Sequence, residues 1–99
     1  MDEDQSANAR LHIFVSGRVH GVGFRMFAYD AAQRLNLVGW VRNRFNGDVE
    51  IVAEGNRQKL EILLGMVRQG PPVSLVTDIK FNWEEPTGSF YRFELRMTQ

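Results

Sequence analysis

The segment Ser16-Gly17-Arg18-Val19-His20-Gly21-Val22-Gly23-Phe24-Arg25 gathers glycines, a histidine and two arginines where one hydrophobic period gives way to another. A glycine-bearing loop that feeds a helix N-terminus leaves several backbone N–H groups unpaired and pointing the same way, with the positive end of the helix dipole behind them. Gly21 and Gly23 can take the positive φ angles that let successive amides converge, and they place no side chain between backbone and ligand. The chemistry within reach is the capture of a small oxyanion. On spacing alone the same glycines could be plain turn residues. Two nucleotide-binding patterns fail: Met26 stands where the Rossmann spacing needs a third glycine, and no Lys-Ser/Thr pair follows Gly17 as in a Walker A loop.

Arg25 adds to the case. A cation in the first helical turn opposes the macrodipole, at a cost of about 0.3–1 kcal/mol. Ala28 and Tyr29, three and four residues on, offer it no ion pair. Arg25 therefore either reaches solvent or a distant carboxylate, or shares an anion with the loop amides. Its planar fork matches two oxygens of a phosphate. Asn43, near the end of a strand, falls at period 2 on the face of Val41 and Phe45, where its amide needs a partner such as a ligand or an ordered water. Asparagine near a hairpin also commonly serves backbone geometry. His20 could act as an acid or base, but a loop histidine more often packs or hydrogen-bonds; His12 belongs on a sheet face. Two histidines and no close carboxylate pair in this region indicate neither a metal site nor a two-carboxylate mechanism.

These residues must be held by something. Leu11, Ile13 and Val15 alternate within a strand over 10–16, and Phe24, Phe27, Ala28, Ala31 and Leu35 recur at helical spacing up to an end near Asn36. Segments 38–45 and 48–54 read as two strands joined through Asn46-Gly47, with both turn residues at positive φ. In the second strand Val49, Ile51 and Ala53 face the core, and Glu50, Val52 and Glu54 form a mostly wet face. A second helix starts at the N-cap Asn56, carries Leu60, Leu63, Leu64 and Val67 on one stripe and stops at Gly70-Pro71-Pro72. Segments 73–84 and 90–97 alternate as strands, with Glu85-Pro86-Thr87-Gly88 turning between them. The order predicts an α+β two-layer sandwich of ferredoxin-like βαββαβ type, with two helices on one face of an antiparallel sheet of four or five strands.

Ninety-nine residues accommodate one domain, expected over 10–99, behind a solvated acidic tail over 1–9. Cysteine is absent, which removes disulfides, thiolate metal sites and thiol nucleophiles. No apolar run approaches the roughly 18 residues of a membrane span, and the start is polar, so the expectation is a cytoplasmic protein without a membrane partner. Lys+Arg and Asp+Glu both number 12, but residues 5–46 hold six arginines against the single acid Asp30. That half carries a positive field suited to small anions.

The loop 15–25, followed by Gly39-Trp40-Val41-Arg42-Asn43, Asn46-Gly47-Asp48-Val49-Glu50 and Gly70-Pro71-Pro72, resembles the acylphosphatase family from Leu11 to Leu95. The resemblance implies a ferredoxin-like fold and metal-free, cofactor-free hydrolysis of the carboxyl-phosphate bond of acyl phosphates. It also implies roles: Arg25 matches the phosphate-binding arginine, Asn43 the asparagine that orients the attacking water, and His20, Gly21, Val22, Gly23, Phe24 and Arg25 the phosphate loop. His20 departs from the family's more frequent glutamine. The expected partner is a small acyl phosphate, the expected state a monomer without nucleic acid. A non-catalytic phosphate- or carbamoyl-phosphate-binding module, like the domain in larger hydrogenase-maturation proteins, is the alternative. An RNA-binding sheet using His12, Phe14 and Trp40 is opposed by Glu50 and Glu54, whose carboxylates would repel the backbone.

Overall fold

Period-2 alternation makes a strand of Asn8–Arg18 (β1) in the computed structural model, which describes residues 8–99. Leu11, Ile13 and Val15 are fully buried on one of its faces. β1 begins ahead of Arg10 because Asn8 and Ala9 pair with Asn56 and Gly55; the rest of the expected tail, residues 1–7, lies outside the described residues. There follow α1 (Phe24–Arg34), β2 (Val38–Asn43), β3 (Val49–Asn56), α2 (Arg57–Gln69), β4 (Leu75–Glu84) and β5 (Phe93–Leu95). The strands form one sheet in the order β4-β1-β3-β2-β5, with both helices packed on one face in a ferredoxin-like α+β fold.

The helical stripes create that packing. Phe24, Ala28, Ala31 and Ala32 of α1 and Leu60, Leu63, Leu64 and Val67 of α2 are buried against Leu11, Ile13, Val41 and Ile51 of the sheet. α2 begins where Asn56 Oδ1 accepts from the Lys59 N–H at 3.1 Å, satisfying one orphan donor of its first turn. α1 ends as Asn36 turns into the left-handed region at φ 58°.

Three local expectations give way to tertiary structure. The β2–β3 connection is a loop of Phe45, Asn46 and Gly47, closed by Arg44 N–H to the Asp48 carbonyl (2.8 Å) and Gly47 N–H to the Arg44 carbonyl (3.0 Å). Only Gly47, at φ 101°, has positive φ there, and Phe45 is an exposed turn residue that does not share the face of Val41 and Asn43. In β4 a bulge sets Ser16 opposite Asp78 and Gly17 opposite Val76, so Val76 turns to the core while Val73 and Leu75 are exposed. The last strand is short and does not form a hairpin with β4. Residues 85–92 carry the chain to the opposite edge, where β5 pairs parallel to β2 and makes the sheet mixed. Of the expected alternation only Phe93 is buried, whereas Tyr91 and Met97 are exposed.

The largest departure is the far face of β3, which is buried throughout. β3 is the central strand, flanked by β1 and β2, and long side chains from both close over it. Glu50 accepts from His12 Nε2 (2.6 Å), Arg42 Nε (2.9 Å) and Arg44 Nη1 (3.2 Å). Glu54 accepts from Arg10 Nη1 (3.0 Å), from the Thr87 N–H and hydroxyl (both 2.9 Å) and from the Gly88 N–H (3.0 Å). Trp40 is also covered, with the guanidinium groups of Arg42 and Arg96 at 4.5 and 5.0 Å from its ring centre.

Burial alone would raise the Glu54 carboxyl, but the Thr87 and Gly88 amides and Arg10 outweigh it and hold the group below its ordinary 4.5. A depressed folded-state value stabilises the protein above the unfolded value and ceases to do so as pH falls through the folded one. Glu54→Ala strands donors of the crossing segment and should cost about 2 kcal/mol at pH 7, seen in urea unfolding. Between about pH 5 and 3 the wild type should lose stability more steeply than the variant, which lacks that titration.

Candidate active site

Val15 of β1 and Asn43 of β2 flank the same residue of β3, Val49. β1 and β2 therefore run parallel, about 10 Å apart at two strand spacings, and release the chain at the same end of the sheet. β1 continues there through residues 19–23 into α1, and β2 into the β2–β3 hairpin. A pocket of about 240 Å³ opens between them, with Gly21, Gly23, Arg25 and Asn43 on its polar side and Val19 and Phe24 among its apolar walls.

The loop has the conformation its glycines permit. Gly21 and Gly23 stand at φ 70° and 78°, in the left-handed region. A Cβ at either would meet nothing within 4 Å, so backbone angle rather than crowding calls for glycine. Gly23 caps α1 without a side-chain hydrogen bond, and the first turn contains no acid. None of the hydrogen bonds among the described residues takes its donor from the amides of Gly21 to Met26. Partial positive charge is thus concentrated and unanswered at the pocket.

Arg25 is half-buried and makes no ion pair among the described residues. No other charged side chain among the described residues lines the pocket. The helix-opposing cation is not compensated by a carboxylate among the described residues. Asn43 is half-buried; its carbonyl accepts from the Gln99 N–H at 3.1 Å, while its side chain has no hydrogen bond among the described residues. Its neighbours Arg42 and Arg44 point to the opposite sheet face, held by Glu50. Burial would raise Glu50, and His12 and Arg42 reverse that and lower it. Asn43 is left aimed into the pocket beside Arg25.

His20 and Val22 belong to the loop but do not line the pocket. Val22 packs against the core. His20 Nε2 lies 2.8 Å from the Asp48 carbonyl, which can only accept, so this ring nitrogen carries the proton. The ring ties the loop to the hairpin. Asp48 also accepts from the Ser16 hydroxyl at 2.9 Å, and its N–H donates to Asn46 Oδ1 at 3.0 Å. Met26 and Leu95, which also line the pocket, are not among the expected site residues. Leu95 reaches the pocket because β5 pairs parallel to β2, a pairing that the turn over 85–88 does not announce. Among the described residues no three His, Asp or Glu side chains cluster as metal ligands would.

The acylphosphatase family model matches residues 11–95. An acylphosphatase of Syntrophotalea carbinolica is 49% identical over 87 residues, spanning 88% of this chain and 95% of that protein. The crystal structure of acylphosphatase from Bacillus subtilis superposes with a TM-score of 0.86 at 41% identity, covering 89% of this chain and 98% of the other. Full-length HypF, in a phosphate- and nucleotide-bound form, gives a TM-score of 0.85 at 27% identity over 94% of this chain but 12% of its own. The higher identity to acylphosphatases disfavours the binding-module alternative.

Proposed function

The chain belongs to the acylphosphatase family and hydrolyses acyl phosphates, and from that premise we propose that Arg25 and the amides of the 20–25 loop grip the phosphoryl group while Asn43 places the attacking water. One observation carries this reading: Arg25 and Asn43, from different elements and both without protein side-chain partners among the described residues, face one pocket at an uncapped helix N-terminus.

Phosphoryl transfer depends mainly on positioning and on stabilising charge spread over the equatorial oxygens. The guanidinium fork and the amides of Gly21, Gly23 and Phe24 supply that stabilisation. Water held by the Asn43 amide attacks phosphorus as the carboxyl oxygen departs, and its proton passes to a phosphate oxygen. The leaving carboxylate is already stable as an anion near pH 7, so it needs neither a general acid nor a metal ion. His20 contributes by anchoring the loop through Asp48, and Val22 by packing beneath it. A diffusible substrate and a cytoplasmic monomer complete the reading, the compartment supported by the absence of cysteine.

The test follows phosphate release from acetyl phosphate and from an alkyl phosphate monoester, with and without excess chelator. The expected result is acetyl phosphate turnover indifferent to chelator, with monoester turnover at background because an alkoxide is a far poorer leaving group. Complete inhibition by chelator would refute the metal-free mechanism.

A further inference from the structure

The pocket that holds Arg25 and Asn43 also presents Met26 and Leu95, two large apolar side chains left 50% and 44% exposed. They come from unrelated places: Met26 from the first turn of α1, Leu95 from the edge strand β5. Val19 and Phe24, almost completely buried, continue the same wall inward. One cavity thus has two chemistries, a polar side built for an oxyanion and an apolar side with no polar group to offer.

An acyl phosphate has the same division, a doubly charged phosphoryl group joined to an acyl chain. With the phosphoryl group against Arg25 and the loop amides, the acyl group has only the remaining wall to meet. We infer that Met26 and Leu95 form an acyl subsite, and that the preferred substrates are acyl phosphates of uncharged, apolar monocarboxylic acids several carbons long. The inference rests on the phosphate assignment proposed above and extends it to the other end of the substrate.

Two physical arguments support the choice of class. An acetyl group has a single methyl to set against this wall, whereas a longer chain removes more of its exposed apolar surface from water. A second carboxylate on the acyl chain would be brought against Met26 and Leu95, and the only cation among the described residues that line the pocket, Arg25, is engaged by the phosphoryl group. Specificity then follows from attraction to a hydrocarbon chain and from the desolvation of a charged one.

The experiment compares kcat/KM for acetyl, butyryl, hexanoyl and monosuccinyl phosphate, in the wild type and in Met26→Ser and Leu95→Ser. From butyryl to hexanoyl the basicity of the leaving carboxylate hardly changes, so a trend there reports the subsite rather than the chemistry. The wild type should prefer hexanoyl over acetyl phosphate by about tenfold or more, the order expected when a hydrocarbon chain enters an apolar pocket. Monosuccinyl phosphate should fall below butyryl by a similar factor. Each variant should shrink the hexanoyl-to-acetyl ratio several-fold; because both side chains are partly exposed, serine there opens no core cavity. Equal kcat/KM across the four substrates in the wild type, or the same ratio in both variants, overturns the subsite while leaving the phosphate assignment in place. Failure to hydrolyse any of the four overturns both.

Discussion

Arg25→Ala should lower kcat/KM for acetyl phosphate by about 10³-fold or more, the scale at which an arginine supports a phosphoryl-transfer transition state. No other charged side chain among the described residues lines the pocket, so no neighbouring cation there can replace it. The loss should appear in binding as well as in turnover, since the same guanidinium meets the phosphoryl group before and during the reaction. Inorganic phosphate, the product, should compete for the same site in the wild type and should weaken as an inhibitor in parallel. Arg25→Lys tests geometry separately from charge: a lysine restores a point charge but not the fork, and should recover only part of the loss. Because Arg25 has no ion-pair partner among the described residues and opposes the α1 dipole, its removal should leave Tm unchanged or slightly raised. Turnover of Arg25→Ala within tenfold of wild type would remove the guanidinium from the mechanism.

The legible parts of this molecule are those fixed by nearby residues. The apolar stripe of α2 was readable to the residue, because helical spacing and an Asn56 cap are local facts and Leu60, Leu63, Leu64 and Val67 are all buried. Arg25 was readable as an anomaly, a cation where the helix dipole disfavours one and without a partner at helical spacing. Glu50 and Glu54 were misread as solvated because alternation within β3 reports only its own pattern. Their burial depends on which strands flank β3 and on the arginines those strands carry. The bulge that turns Val76 inward exists only in the pairing of β1 with β4. Leu95 reached the pocket through a parallel pairing that no turn signal announces. The Asp48 tether to Ser16 and His20 spans 32 and 28 residues and is invisible to any short window.

Asn43→Ala should separate water placement from phosphate binding. The side chain has no hydrogen bond among the described residues, while its backbone pairs with Val49 and accepts from Gln99. Truncation therefore strands no protein donor or acceptor, and the sheet end should keep its shape. What disappears is the one side-chain amide among the described residues that line the pocket beside Arg25. Losing a well-placed hydrogen-bonding group of this kind costs about 10²–10³ in kcat. KM and the inhibition constant of inorganic phosphate should stay near wild type, because Arg25 and the loop amides remain intact. Asn43→Asp sharpens the point: a carboxylate could still orient water, but it would face the phosphoryl oxygens across the pocket and repel them, so phosphate inhibition should weaken there and not in the alanine variant. The pair of variants discriminates between a binding role and a positioning role for Asn43. Equal loss of phosphate affinity in Asn43→Ala and Arg25→Ala would make Asn43 a second phosphate ligand and leave the attacking water without its guide.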